Sequence, residues 1–333
     1  MREMIIVTGG AGFIGSAIVW KLNQQGEFNI LVVDDLGKTD ECKNLRSLRF
    51  LDYINKDIFL EKVLKGDFNT GVHALIHMGA CSDTTEQDAD YLLLNNYEYT
   101  KHLAAYATSC NVRFIYASSA ATYGDGSYGY SDKEKDLHKF CPLNMYAYSK
   151  HLFDLWAEAN GLLKQVVGLK FFNVFGPNEY HKGEMRSMVV KAFEQIKKEG
   201  EIRLFKSHRS EYGHGEQKRD FLYVKDAVEM TLFFLQNPGV NGIFNIGTGR
   251  AETWNKLAEL VFEALKIKPN IKYISMPEEI KDSYQYFTQA DMSKLHRAGY
   301  EMSITSLKKA VFDYVQNYLK PQKYLDLSSQ RVG

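Results

Sequence analysis

The sequence predicts an α/β protein, a doubly wound parallel sheet with a smaller mixed α/β unit attached. Three observations carry that expectation. Short apolar runs rich in β-branched residues recur at 5–7, 30–33, 74–77, 114–117 and 166–172, and runs of that length suit strands buried on both faces. Stretches of helical periodicity separate them, so the strands pair in parallel through crossovers. The first run opens at once into glycines and then a helix, IIVTGGAGFIG.

Taken in order, Ile5, Ile6 and Val7 form the first strand. Gly9 lets the chain turn sharply, Gly12 has no Cβ to keep a ligand from the backbone, and Gly15 lets the helix pack close to the sheet. Phe13 and Ile14 begin that helix, and Ala17, Ile18 and Leu22 continue its apolar face. A helix N-terminus offers free N–H groups and partial positive charge to an anion. Strand, glycine turn and helix together predict a site for a dinucleotide pyrophosphate. The second strand ends in Asp34-Asp35, where Asp34 is placed to accept hydrogen bonds from an adenosine ribose. That favours NAD, whereas Lys38, Lys43 and Arg46 could pair with a 2′-phosphate, so the residues leave NAD and NADP both open. The strand at 74–77 runs into Met78-Gly79-Ala80-Cys81-Ser82, mostly small residues that suit a backbone passing close to a cofactor. The helical stretch 91–110 carries Asn95 and Asn96 among apolar residues, where an amide needs a polar partner. Beyond Phe175 the regular alternation breaks. A polar segment at 179–183, a helix at 188–196 and a hydrophilic loop at 206–218 follow. A strand at 219–224, a helix at 226–235, a strand and glycine turn at 242–249 and a short strand at 271–274 complete the pattern.

Composition excludes several classes. The 333 residues carry 41 Lys plus Arg against 41 Asp plus Glu, a formal net charge of zero, which suits neither nucleic acid nor an anionic membrane as the main partner. No apolar run approaches the ~18 residues of a membrane span. The first strand starts at residue 5 with no basic leader and apolar stretch before it, so a cytoplasmic location is expected. Four cysteines and nine histidines are scattered, in no metal-binding spacing. His77, after a strand, reads as a satisfied core residue.

The chemistry concentrates at three residues. The strand 114–117 runs into Ser118-Ser119-Ala120-Ala121-Thr122-Tyr123-Gly124, and ligands of such sheets bind at the carboxyl ends of strands. Tyr146-Ala147-Tyr148-Ser149-Lys150 then opens a helix, with Tyr146 and Lys150 on one face. A free tyrosine, with a pKa of about 10, is a poor base at neutral pH. A nearby ammonium and a positive nicotinamide ring would favour its phenolate. Tyr146 would then take a hydroxyl proton while Ser119 holds the same oxygen, and Lys150 would also bond the nicotinamide ribose.

TGGAGFIG, SSAATYG, YAYSK, FFNVFGP and RDFLYV resemble the extended short-chain dehydrogenase/reductases, in their nucleotide-sugar epimerase and dehydratase branch. That resemblance implies a Rossmann-like sheet. Dehydratases of the branch carry an acidic pair where this chain has Ala120 and Ala121, so an epimerase fits better. HMGACSDTTE, NNYEYTKHL, FNVFGPNEYHKG, GIFNIGTGRAETW and YFTQADMSKLHRAGY are further similar to the ADP-L-glycero-D-manno-heptose 6-epimerase family. The family resemblance implies NADP, an ADP-heptose substrate, and a homo-oligomer, with a homopentamer expected. It implies a place in making the heptose precursor of the lipopolysaccharide inner core. It also implies inversion at C6 through a transient 6-keto sugar. On this basis Tyr146 and Lys182 are the two acid/base candidates. Gly9, Gly12, Phe13, Ile14, Gly15, Asp34, Asp35, Lys56, Met78, Gly79, Ala80, Ser82, Asn95, Tyr146, Lys150, Val174 and Lys182 are expected at the cofactor, with Lys56 ranked above Lys43 as a phosphate contact. Ser119, Asn173, Glu184, Lys191, Phe205, Arg219 and Tyr284 are expected at the substrate, Arg219 toward the diphosphate. Glu184 stands where the family would have a small polar residue, and the 206–218 loop is longer than usual for it. The expected division is 1–176 plus 220–250 for the dinucleotide unit, 177–219 plus 251–320 for the substrate unit, and a polar tail at 321–333.

Overall fold

The computed structural model describes residues 3–281 and 284–327, with the side chains at 279 and 280 excepted. Twelve strands form among the described residues: β1 Met4–Thr8, β2 Ile30–Asp34, β3 Asp52–Asn55, β4 Val72–His77, β5 Arg113–Ser119, β6 Val166–Phe171, β7 Asn173–Phe175, β8 Ile202–Phe205, β9 Lys218–Tyr223, β10 Gly242–Ile246, β11 Ala251–Thr253 and β12 Ile271–Ile274. Seven of them make one sheet in the order β10-β6-β5-β4-β1-β2-β3, every pair parallel. β1, β2, β4, β5 and β6 are almost wholly buried, as continuous apolar runs between two helical layers should be. The chain winds outward from β1 to β3 on one side and from β4 to β10 on the other. The reversal between β1 and β4 opens a crevice at their carboxyl ends, the place where such sheets bind ligands.

The smaller elements lie beyond that crevice. β7 pairs in parallel with β9, and β11 pairs antiparallel with β9. β8 and β12 form a separate parallel pair. β9, which the sequence reading groups with the dinucleotide unit, hydrogen-bonds in this second sheet, while the helix after it returns to pack on the first helix and β10 closes the edge of the large sheet.

The segment 321–327, expected as part of a polar tail, is docked. Leu325 is 1% exposed. Its N–H donates to Asn178 Oδ1 at 2.9 Å, and its carbonyl accepts from Ser47 Oγ at 3.3 Å. Trp20 Nε1 donates to the Asp326 carbonyl at 3.0 Å and Tyr180 Oη to that of Lys323 at 2.9 Å. One buried leucine and four hydrogen bonds overcome a hydrophilic composition. Residues 328–333 of the expected tail lie outside the described part.

Candidate active site

Backbone meets backbone at the glycine turn. Gly9 has φ of 64°, and a Cβ there would lie 2.5 Å from the Gly79 nitrogen. A Cβ on Gly15 would lie 2.0 Å from the Gly9 carbonyl oxygen. Neither position accepts a side chain without moving main chain. Gly12 is the N-cap of the first helix, Phe13–Gln24, and supplies no side-chain cap. The N–H groups of the first turn are thereby left for an anion. This cradle fits a dinucleotide pyrophosphate.

Asp34 closes β2. Its carboxylate accepts from the Ala11 N–H and the Asp35 N–H, both at 2.8 Å. Burial raises its pKa against the pull of those bonds. Asp34, Asp35, Glu41, Lys56, Gly79, Ala80 and Asn95 line one cleft with Gly9. Lys56 is the cation among the cleft's lining residues, and its Nζ donates to Asn95 Oδ1 at 2.7 Å. Lys43 instead pairs with Asp40 at 2.6 Å on the exposed face, and Arg46 lies over the Tyr324 ring. Met78 and Ser82 flank the Gly79-Ala80 segment. One π turn, Leu93–Glu98, carries both Asn95 and Asn96, a helical irregularity common at functional sites. Asn96 is buried and exchanges hydrogen bonds with the backbone of Cys81 at 2.8 and 2.9 Å. His77 is a core residue as expected. Its two ring nitrogens meet Thr8 and Thr100, and burial, with the Lys150 charge nearby, pulls its pKa to about 3.

Ser119 ends β5, and Tyr146 and Lys150 lie one turn apart on the helix Met145–Ala159. Asn144 caps that helix by accepting from the Ala147 N–H at 2.8 Å. Ser119 lies near the Tyr146 phenol and lowers its pKa, but burial is the larger influence and leaves it raised. Lys150 Nζ donates to the Ala117 carbonyl at 2.9 Å, and burial pulls its pKa to about 8. Desolvation dominates at Tyr146 in the protein alone, and the expected lowering counts on the nicotinamide ring charge together with Lys150. Behind the three residues lies a buried ion pair, Lys170 with Asp154 at 2.8 Å, both side chains 0% exposed. Asp154 also accepts from Tyr116 Oη at 2.9 Å and Ser118 Oγ at 2.7 Å.

Lys182 stands on another wall. It belongs to the 3-10 segment Tyr180–Met185 and its Nζ lies 5.7 Å from the Phe13 ring centroid. Burial lowers its pKa while Glu179 pulls the other way. Glu179 holds the base of the turn, accepting from the Gly176 N–H at 3.1 Å and Ser187 Oγ at 2.7 Å. Lys182 thus borders the glycine turn after β1, and Tyr146 the end of β5, with β4 between those strands.

On the side of the smaller sheets, Arg219 is buried on β9 with its guanidinium 5.1 Å from the Tyr284 ring centroid and 5.7 Å from that of Trp254. Burial lowers its pKa, and the phenols of Tyr284, Tyr130 and Tyr212 lie near it. Phe205 packs edge-on to Tyr284 at 6.5 Å. Asn173 on β7 accepts from Thr288 Oγ1 at 3.5 Å, and Val174 follows it. Glu184 and Lys191 pair with each other at 3.1 Å, the glutamate side chain 88% exposed, so they join the rim rather than the Arg219 cluster. Sequence reasoning missed the aromatic and basic lining of the long loop, where Arg209 lies 4.6 Å from the Tyr286 ring centroid and His208 Nδ1 is 2.8 Å from Tyr286 Oη. The interleaved His-Arg-Ser-Glu-Tyr of that loop was the available signal.

Residues 5–247 match the NAD dependent epimerase/dehydratase family. An ADP-L-glycero-D-manno-heptose-6-epimerase of Nitratidesulfovibrio vulgaris is 54% identical over 316 residues, 95% of this chain and 98% of that one. One from Fusobacterium nucleatum is 49% identical over 332 residues, covering 97% and 100%. The crystal structure of the Helicobacter pylori ADP-L-glycero-D-manno-heptose-6-epimerase superposes with a TM-score of 0.78 at 25% identity, covering 95% of this chain and 96% of that one. No helix among the described residues is long and apolar enough to cross a membrane. A glycine cradle for a dinucleotide, a Ser-Tyr-Lys constellation and near full-length relatives agree, and the chain belongs to the NAD dependent epimerase/dehydratase family and, within it, to the ADP-L-glycero-D-manno-heptose-6-epimerases.

Proposed function

We propose that this chain is an isomerase that inverts C6 of ADP-D-glycero-D-manno-heptose to give the L-glycero epimer. The observation that supports the reading is that Tyr146 and Lys150 share a face of one helix and both lie near Cys81, which lines the cleft with Gly9. Gly9, Gly12 and Gly15, with the first turn of the following helix, would hold the pyrophosphate of a nicotinamide dinucleotide. Asp34 would hold its ribose, and Lys150 its nicotinamide ribose. Resemblance to the family carries NADP, with Lys56 as the cation facing its 2′-phosphate. When bound, the dinucleotide supplies a reversible acceptor for the C6 hydride and a positive ring charge.

C6 is an unactivated carbinol carbon, so simple deprotonation there is not feasible. Ser119 holds the C6 hydroxyl oxygen and Tyr146 takes its proton as C6 is oxidised to the ketone. The keto sugar turns to present its other face. On reduction at that face the new hydroxyl takes its proton from Lys182, whose pKa is lowered by burial. The reverse passage exchanges the two roles, so each epimer has an acid/base on its own side. Arg219 provides a guanidinium for the diphosphate, with Tyr284 and Phe205 beside it. The subunits are expected to associate as a homo-oligomer, which sedimentation would measure.

The test is direct. The purified protein is denatured and any released nicotinamide dinucleotide identified. In parallel the native protein is incubated with ADP-D-glycero-D-manno-heptose and no added cofactor. Formation of the L-glycero epimer with the dinucleotide retained is the expected outcome. A bound dinucleotide with turnover of a UDP-hexose instead would refute the substrate, and no bound dinucleotide and no activity on adding one would refute the mechanism.

A further inference from the structure

Two residues of the segment 178–182 touch the helix that the glycine turn opens, and a third touches the 3-10 turn Asp40–Asn44. Asn178, at φ of 79°, donates from Nδ2 to Ser16 Oγ at 3.0 Å. Ser16 Oγ in turn donates to the Phe13 carbonyl at 3.2 Å. His181 Nε2 lies 3.2 Å from Glu41 Oε1. Lys182 itself lies over the Phe13 ring.

One side chain sits at the centre of these contacts. Asn44 ends a single 3-10 turn, Asp40–Asn44, and is 1% exposed. Its Nδ2 donates to the Ala11 carbonyl at 2.8 Å and to the Asn178 carbonyl at 3.1 Å, and lies 3.3 Å from His181 Nδ1. The Ala11 carbonyl shares its peptide unit with the Gly12 N–H, at the cap of the first helix. Asp34 holds Ala11 from the other side through its N–H. A single primary amide therefore fixes the orientation of the phosphate cradle and the position of the turn four residues before Lys182.

We propose that Asn44 is a positioning residue that locks the Lys182 turn to the glycine turn, so that the second acid/base is set at a fixed distance from the bound dinucleotide. The proposal rests on the role given to Lys182 above. Asn44 touches neither substrate nor the reacting atoms; it acts through Asn178 and His181. Misplacing a catalytic group by about 1 Å costs on the order of a hundredfold, so a loosened turn should damage the half of the reaction that uses Lys182 and spare the half that uses Tyr146.

The experiment compares wild type, Asn44→Ala and Asn44→Thr, each with its dinucleotide retained, on ADP-D-glycero-D-manno-heptose. Threonine has about the volume of asparagine and no amide to reach both the Ala11 and Asn178 carbonyls, so it serves where the cavity of Asn44→Ala keeps the chain from folding. The readouts are kcat, KM, the dinucleotide bound per chain, and the absorbance of reduced nicotinamide during turnover. The expected result is a kcat lower by about 10- to 100-fold, KM within about twofold, full dinucleotide content, and a larger standing fraction of reduced nicotinamide than in wild type. An unchanged kcat overturns the proposal. So does loss of the dinucleotide with activity restored by adding it in excess, since Asn44 would then serve the cofactor alone. Wild type that neither epimerises the sugar nor reduces its bound nicotinamide would overturn the epimerase reading itself.

Discussion

Replacing Lys170 with methionine tests how the strand end that presents Ser119 is held. Lys170 Nζ lies 2.8 Å from Asp154 Oδ2, and neither side chain is exposed. Methionine has similar length and no charge, so the perturbation strands the Asp154 carboxylate in a dry interior. Breaking a buried pair from one side costs about 3–5 kcal/mol. Asp154 keeps two hydroxyl donors, Tyr116 and Ser118, which favours the lower half of that range. Lys170 also lies 5.0 Å from the Tyr123 ring centroid, a contact that methionine sulfur partly replaces. A loss of about 3–4 kcal/mol is expected, read by urea unfolding as a lower midpoint with an unchanged slope. Asp154→Leu should cost as much or more, because it leaves the Lys170 ammonium without its carboxylate, with the Thr122 hydroxyl still beside it, and takes the acceptor from two buried hydroxyls. The double variant should recover part of the loss, giving a coupling energy of at least ~2 kcal/mol. A loss below ~1 kcal/mol for Lys170→Met, the range of exposed pairs, would show that the pair is hydrated and refute the argument.

Four further outcomes follow from the site. Tyr146→Phe and Lys182→Met should each lower kcat by at least about a hundredfold while the dinucleotide stays bound, measured by turnover and by release on denaturation; near-normal turnover removes the residue from the mechanism. Arg219→Ala should raise KM more than it lowers kcat, and an unchanged KM argues against a diphosphate contact. Lys150 titrates at about 8 in the fold against about 10.4 when free, so its cation, and with it dinucleotide affinity, should decline as pH rises through about 8. The unfolded chain holds this proton up to the free value, so the same group makes the fold more stable as pH rises across that window; an affinity flat from pH 7 to about 9 would refute the first point. Glu41→Lys, which puts a second cation beside Lys56 in the cleft, should tighten NADP relative to NAD by about tenfold, as measured by competition binding.

Local signals carried most of the fold. The β-branched runs became buried strands because a parallel sheet covers both faces, and β12 at 271–274 matched its expected bounds. The glycine turn was legible because its requirement, the absence of a Cβ, is written at single positions. Tyr146 and Lys150 share a helix face, so their spacing sufficed. What stayed hidden depends on partners far along the chain. Asn44 reads as one more polar loop residue until Ala11, Asn178 and His181 are packed around it. Lys170 sits in an apolar strand, and its partner Asp154 lies on a helix sixteen residues earlier. Lys43 was set aside by a nearer cause, the Asp40 carboxylate three residues before it. The docking of 321–327 was not legible because hydrophilic composition says nothing about the four hydrogen bonds that hold it.

That docked segment also sets a timetable. Synthesis delivers the phosphate cradle first, the Lys182 turn midway, and the backbone N–H that Asn178 awaits 147 residues later. At about 5–20 residues per second, the interval is roughly 7–30 s. A growing chain therefore has its dinucleotide wall long before its opposite wall is latched. The glycine turn can therefore be complete while the segment at Asn178 still lacks its contact with residue 325.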